Sequence, residues 1–448
     1  MINSRLAKIN SDFQPPEDAL RSSKVHPIVN SQAISDNSST IIQSLPEYGR
    51  RKLRIALYSH DTMGMGHMRR NLLISQALSY SSLQASILMV TGARQASAAD
   101  MPPGVDCITL PALRKETNGC YLSRSLDIPI QDLSKIRAQM IRTSIAAFNP
   151  DVFIVDNVPR GALAELDGTL RDLRQRGHTR CILGLRDVLD DPQQVKAEWD
   201  KASNAQTIRA FYDKIWIYGD PNVYNAIEEY QLPTDIAQKV SFTGYFDRCV
   251  QYEANNQKVS QKSRAELGLS EGHFILCMVG GGQDGARLTE AFAVAKLPEG
   301  SFGVIITGPF MPADIRARLH AIAASRTNLQ VLEFVSEPRE LLNQADTVIA
   351  MGGYNVVSEI LSFGKKALIV PRVNPRQEQM IRAKRLKSLG IIDVMHPDHI
   401  TATGLSNWLA NTIQSNHKPA VRNKCDFNGL SRLPALIEEI CELEPLII

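Results

Sequence analysis

The chain has 448 residues, with 50 Lys and Arg against 47 Asp and Glu, for a net charge of +3. That near balance argues against a dedicated nucleic-acid binder, which needs a strong basic excess. Apolar residues at 44% and charged residues at 22% match an average globular chain, so a fibrous or wholly disordered protein is excluded.

Length alone predicts two or three domains, at about 150 residues each. The 7 cysteines are scattered and never form C-x-x-C, which predicts free thiols in a reducing compartment rather than a disulfide framework or a zinc site. No apolar run approaches the roughly 18 residues of a membrane span. The N-terminal stretch carries Asp12, Glu17 and Asp18 and lacks the apolar core of a secretory signal. The expected location is cytoplasmic. Peripheral contact with the inner face of a membrane stays open, because it needs no span and Arg69-Arg70 and Arg114-Lys115 could meet anionic lipid.

In chain order, residues 1–50 hold Pro15-Pro16 and a Ser/Asn-rich stretch with little periodicity, and read as a disordered tail. A first series of elements fills residues 51–245. Leu53–Tyr58 reads as a buried strand, and Met68–Tyr80 as a helix with Leu73, Ile74, Ala77 and Leu78 at helical spacing. Strands follow at Ser86–Val90, Asp151–Val155, Arg180–Leu185 and Lys214–Tyr218, with helices at Leu133–Phe148 and Gly161–Arg176 between them.

Residues 246–270 are polar and read as a linker. A second series fills 271–425, with strands at His273–Val279, Gly303–Thr307, Leu329–Phe334, Thr347–Ala350 and Lys366–Val370 and a helix at Asp284–Ala295. Residues 426–448 read as a terminal helix. Alternating strands and helices predict parallel, doubly wound sheets. The expected fold class is α/β, with two facing Rossmann-like domains that each offer a ligand site at the carboxyl ends of their strands.

Two glycine loops carry chemistry. After the first strand the chain reads Gly64-Met65-Gly66-His67-Met68-Arg69-Arg70. The third glycine of a dinucleotide fingerprint is replaced by Arg69, which disfavours a dinucleotide. His67 enters the helix at a strand's carboxyl end, where catalytic groups gather, although a packed loop histidine is as good a reading. In the second series Thr347–Ala350 runs into Gly352 and Gly353 and a helix start. Free N–H groups and the positive helix end suit a diphosphate there. Asn355 can donate to a phosphate oxygen. Glu359, one turn on, can accept from two ribose hydroxyls. Glu378 and Gln379, at the next strand–helix loop, can bind sugar hydroxyls.

These segments together resemble the donor region of GT-B glycosyltransferases, and most closely family 28, typified by the lipid-linked N-acetylglucosaminyltransferase of peptidoglycan synthesis. The matching segments, in order, are Gly64–His67, Gly280–Arg287, Gly352–Glu359 and Arg376–Gln379, and the resemblance spans about residues 53 to 395. It implies that Gly282 and Gln283 help Gly352, Gly353 and Asn355 hold the diphosphate. Phe334 and Val335 would contact the base. His67 would be the catalytic or acceptor-positioning histidine, oriented by Asp156. Gly64, Gly66, Arg186 and Asp187 would lie on the acceptor side.

The implied reaction is an inverting transfer from a nucleotide diphosphate sugar, a UDP-hexose or UDP-N-acetylhexosamine, to a hydroxyl of a small molecule, glycan or lipid. No D-x-D triplet occurs, so the reading calls for neither a metal nor a cofactor. Met68-Arg69-Arg70 and Leu113–Gly119 depart from the family pattern on the acceptor side, which points away from the peptidoglycan lipid as acceptor. Two other readings fit the same layout: a nucleotide-sugar epimerase or hydrolase, and a non-catalytic nucleotide-sugar-binding protein.

Overall fold

The structure is a computed structural model that describes residues 52–61, 66–116, 120–249, 271–333, 335, 338–415 and 419–442. The predicted tail, most of the predicted linker, Gly64 and Phe334 lie outside the described residues.

Two parallel sheets form the frame. The first orders its strands β3-β2-β1-β6-β7-β8-β9. These are β1 (Arg54–Ser59), β2 (Ser86–Thr91), β3 (Val105–Thr109), β6 (Val152–Asp156), β7 (Arg180–Arg186), β8 (Lys214–Tyr218) and β9 (Val240–Phe242). A small antiparallel hairpin, β4 (Leu113–Lys115) with β5 (Tyr121–Ser123), stands apart. The second sheet orders β12-β11-β10-β13-β14-β15, from β10 (His273–Met278), β11 (Ser301–Ile306), β12 (Leu329–Leu332), β13 (Thr347–Ala350), β14 (Lys366–Ile369) and β15 (Asp393–Val394). Every neighbouring pair within each of these two sheets is parallel. Helices cover both faces, so the central strands are largely apolar; all five residues of β6 and all six of β11 are buried.

Strand order decides where ligands can sit. In the first sheet the chain reverses its direction of growth between β1 and β6, and in the second between β10 and β13. At such a switch point the loops on either side diverge and leave a crevice beyond the strand ends. His67 follows β1 and Asp156 ends β6. Gly280 follows β10 and Gly353 follows β13. His67, Asp156, Gly280 and Gly353 therefore stand at switch points, whereas Arg376–Gln379 follows β14, away from one.

The halves are tied by buried polar contacts. The Arg382 guanidinium donates to both oxygens of Asp187 at 2.6–3.0 Å, and both side chains are 1% exposed. Tyr354 donates its hydroxyl to the Tyr218 carbonyl at 2.8 Å. The terminal helix, Gly429–Glu442, returns to the first half. Its Leu433 and Ile437 join Ile74 and Leu78 of the first helix (Gly66–Ser79) in one apolar cluster, and Arg432 donates to the Thr243 carbonyl.

Some elements differ from the sequence reading. The stretch expected as one helix, Gly161–Arg176, splits into a 3-10 turn at Ala162–Ala164 and a helix at Asp167–Arg176. Leu163 and Ala164 take left-handed φ of 54° and 58°. The cause is Glu165, whose carboxylate is pulled inward to Arg137, at 2.6 Å and 2.7 Å, and to the Tyr58 hydroxyl. Arg137 and Glu165 are fully buried, so a chain continuing as helix would strand two opposite charges. The opening of the predicted linker is likewise no loose tether: Phe246, Asp247 and Arg248 are buried.

Candidate functional site

The first helix begins at Gly66, where a buried carboxylate organises the approach. Asp61 accepts from the Met68 amide at 3.0 Å and from the hydroxyls of Ser59 and Thr91 at 2.5 Å and 2.6 Å. It thus satisfies one of the helix's free N–H groups and fixes where His67 leaves the loop.

Below His67 lies Asp156, fully buried at the end of β6. The imidazole Nδ1 is 2.5 Å from Asp156 Oδ2. Arg70, one turn along the helix, donates to Oδ1 from Nε at 3.0 Å and from Nη2 at 2.7 Å, and to Oδ2 at 2.6 Å. Burial alone would raise the Asp156 carboxyl, but the charges of Arg70 and His67 overcome it and hold the group well below the usual carboxylate range. Asp156 is therefore a permanent anion. A carboxylate only accepts, so Nδ1 is the donor of this pair. The 3.0 Å approach of Arg70 Nη2 to the same Nδ1 follows from two donors converging on one carboxylate oxygen.

Arg70 is 2% exposed and lies over the rings of Tyr218 and Tyr354, 5.6 Å and 5.5 Å from their centroids, so it touches both halves. Sequence reading missed its role; the available signal was its i+3 spacing from His67 on one helix face. His60 packs against His67 with ring centroids 4.9 Å apart. Burial, then the neighbouring His67, pushes His60 down to about 3, so it stays neutral.

These groups open onto a cavity of about 290 Å³ whose other wall belongs to the second half. That wall holds Gly280 and Gly281 after β10, Gly308 after β11, and Gly353, Asn355 and Glu359 at the helix Tyr354–Ser362. Val335 lines it as well. Two helix N-termini, Gly66 and Tyr354, meet here. Asn355 Nδ2 donates to the Gly66 carbonyl at 3.1 Å, and neither helix has an acidic residue in its first turn. Glu359 is held by Arg248, which donates to Oε1 and reaches Asn355 Oδ1 at 3.4 Å. Arg248 is a second residue missed in the sequence, because its polar surroundings read as linker.

Several predicted residues stand elsewhere. Gly282 and Gln283 do not line the cavity; Gly280 and Gly281 do. Gly282 serves the turn instead: its φ is +92°, and a Cβ there would lie 2.1 Å from the Thr307 carbonyl oxygen. Gly352 packs against Gln379 and its carbonyl accepts from Arg382 at 3.0 Å. Glu378 and Gln379 are buried beside the cavity rather than on it. Glu378 accepts from Arg372 at 2.8 Å and Gln379 Oε1 from the Arg372 amide at 3.0 Å. Asp187, expected on the acceptor side, is the partner of Arg382 in the buried tie between the halves, and it also accepts from the Tyr245 hydroxyl at 3.0 Å. Its neighbour Arg186 does line the cavity.

Residues 275–439 match the model of the glycosyltransferase family 28 C-terminal domain. The C-terminal half is thus similar to the family 28 C-terminal domain. Over 185 residues the chain is 28% identical to the UDP-N-acetylglucosamine--N-acetylmuramyl-(pentapeptide) pyrophosphoryl-undecaprenol N-acetylglucosamine transferase of Cupriavidus pinatubonensis, covering 40% of this chain and 50% of that one. The chain thus spans about half the length of this relative. Among solved structures, the glycotransferase of kitacinnamycin aligns with a TM-score of 0.58 at 17% identity, over 87% of this chain and 99% of that one. The UDP-GlcNAc 2-epimerase of Neisseria meningitidis aligns with a TM-score of 0.56 at 12% identity, over 87% and 100%. These likenesses show the fold: two facing parallel-sheet halves, the GT-B arrangement. Among the described residues no helix is long and apolar enough to cross a membrane, and no group of three or more His, Cys, Asp or Glu is placed to hold a metal ion.

Proposed function

We propose that the protein is an inverting, metal-independent glycosyltransferase that moves a sugar from a nucleotide diphosphate sugar, a UDP-hexose or UDP-N-acetylhexosamine, to an acceptor hydroxyl. The observation that carries this reading is the cavity itself. One wall is a family 28 helix start with Gly353, Asn355 and Glu359, and the other is a histidine backed by a buried aspartate.

In this mechanism the N–H groups at Gly353 and the glycine loop after β10 receive the diphosphate. Glu359 accepts from the ribose hydroxyls with one oxygen while Arg248 holds the other. Val335 flanks the base. His67 Nε2 takes the acceptor's hydroxyl proton as the new oxygen–anomeric carbon bond forms on the face opposite the leaving group. The anomeric carbon–phosphate oxygen bond breaks, and the electron pair leaves with the nucleoside diphosphate. Asp156 stabilises the imidazolium that results. Arg70 shares that carboxylate and holds it in place beneath the imidazole.

The test is product analysis. The protein is incubated with UDP-N-acetylglucosamine or UDP-glucose and a panel of sugar, lipid and small-molecule hydroxyl acceptors, and products are read by mass spectrometry. A glycosylated acceptor plus UDP, with most turnover lost in His67→Ala, is expected. A donor converted without any acceptor would establish the epimerase or hydrolase reading. Unchanged turnover in His67→Ala would remove the base assignment.

A further inference from the structure

Among the described residues four charged side chains line the cavity: Arg69, Arg70, Arg186 and Glu359. Two are compensated from behind the wall, Arg70 by Asp156 and Glu359 by Arg248. Arg69 and Arg186 are not. Among the described residues neither side chain makes a hydrogen bond or ion pair, and Arg186 Nε is buried with no partner at all.

Both placements are unfavourable for a lone cation. Arg69 sits in the first turn of a helix, where the dipole is already positive. Arg186 is surrounded by Arg70 and Arg382, and burial together with those charges lowers its proton affinity against the opposing pull of Glu378. An unpaired guanidinium in such a place is costly unless an anion completes it. The cavity that holds them also receives two helix N-termini and the loop Gly280-Gly281, all of which favour phosphate.

We propose that Arg69 and Arg186 form a clamp, carried by the first half, that grips the donor's diphosphate across the cleft and neutralises it as it leaves. The inference rests on the donor reading above and deepens it. The diphosphate of a nucleotide sugar carries one negative charge per phosphate, and the two uncompensated arginines match it. Cleavage of the sugar–phosphate bond adds charge to the terminal phosphate, beside which these donors already stand, so the clamp is strongest on the leaving group. A divalent cation is then not required for departure. Arg69 stands where a dinucleotide fingerprint has its third glycine, so the residue that disfavours one ligand becomes a contact for the other.

Calorimetric titration tests this. UDP, dTDP and GDP, each beside its monophosphate, are titrated into the full-length wild type, Arg69→Gln and Arg186→Gln in buffer with EDTA. The wild type should prefer the diphosphate of its nucleotide, and each variant should lose at least about tenfold of its diphosphate affinity with a much smaller loss for the monophosphate. A buried site loses fold as well as charge if it is disrupted, so Arg186→Lys provides the control and should recover part of the preference. Wild type that binds a diphosphate, with both Gln variants binding it equally well, overturns the clamp and leaves the donor site intact. A loss equal for mono- and diphosphate also overturns it. A wild type that binds no nucleotide overturns the donor reading itself.

Discussion

Replacing Arg70 with Gln separates the two jobs assigned to this residue. It leaves Asp156 fully buried with His67 as its remaining partner from the first helix. Removing one member of a buried ion pair costs about 3–5 kcal/mol, and the lost contacts with the Tyr218 and Tyr354 rings add on the order of 0.5–1 kcal/mol each. Turnover should fall as well, because the carboxylate that orients His67 loses the three hydrogen bonds Arg70 donates to it. Arg70→Lys, which keeps the charge, should recover part of both losses. Stability is read by chemical denaturation through the buried Trp216, and turnover by product formation at saturating donor. A variant with normal stability and normal turnover would refute the shared-carboxylate reasoning.

His60 predicts an acid-sensitive stability. Folded, it resists protonation down to about 3 against an ordinary value of 6.5, so the unfolded chain binds more protons between those limits and stability falls as the pH drops below about 6.5. At pH 5 the contribution lost is about 2 kcal/mol, and His60→Phe should flatten the denaturation midpoint between pH 7 and 5; an unchanged slope would contradict it. Gly282→Ala places a Cβ 2.1 Å from the Thr307 carbonyl oxygen at a φ of +92°. A stability loss of about 1–3 kcal/mol and weaker nucleotide binding through the displaced Gly280-Gly281 loop are expected, measured by thermal melting and calorimetry; a variant indistinguishable from wild type would show the turn is not strained.

What the sequence reveals follows from what is local. Apolar runs such as those inside β1 and β13 announce buried parallel strands, and the loops and helix starts after them carry His67, Gly353, Asn355 and Glu359, which the fold brings to one cavity. Short edge strands such as β9 and β15 have no such run and were not anticipated. The sequence was also silent where partners lie far apart. Nothing near Asp187 points to Arg382, 195 positions away, and nothing near Arg248 points to Glu359, 111 positions away. A strand-end aspartate reads equally as an acceptor contact or as a tie between halves, and only the three-dimensional pairing chooses. The split at Ala162–Ala164 has the same origin, since the side chain that breaks the helix answers to Arg137 on another element.

The central claim is that the cleft binds a nucleoside diphosphate with its ribose on Glu359. Calorimetric titration of UDP into wild type and into Glu359→Gln tests it most directly, because the amide keeps the shape beside Arg248 and removes the charge that receives the hydroxyls. One site per chain in the wild type, weakened about tenfold or more in the variant, is the predicted result. Equal dissociation constants, or a wild type that takes up no UDP, would contradict it.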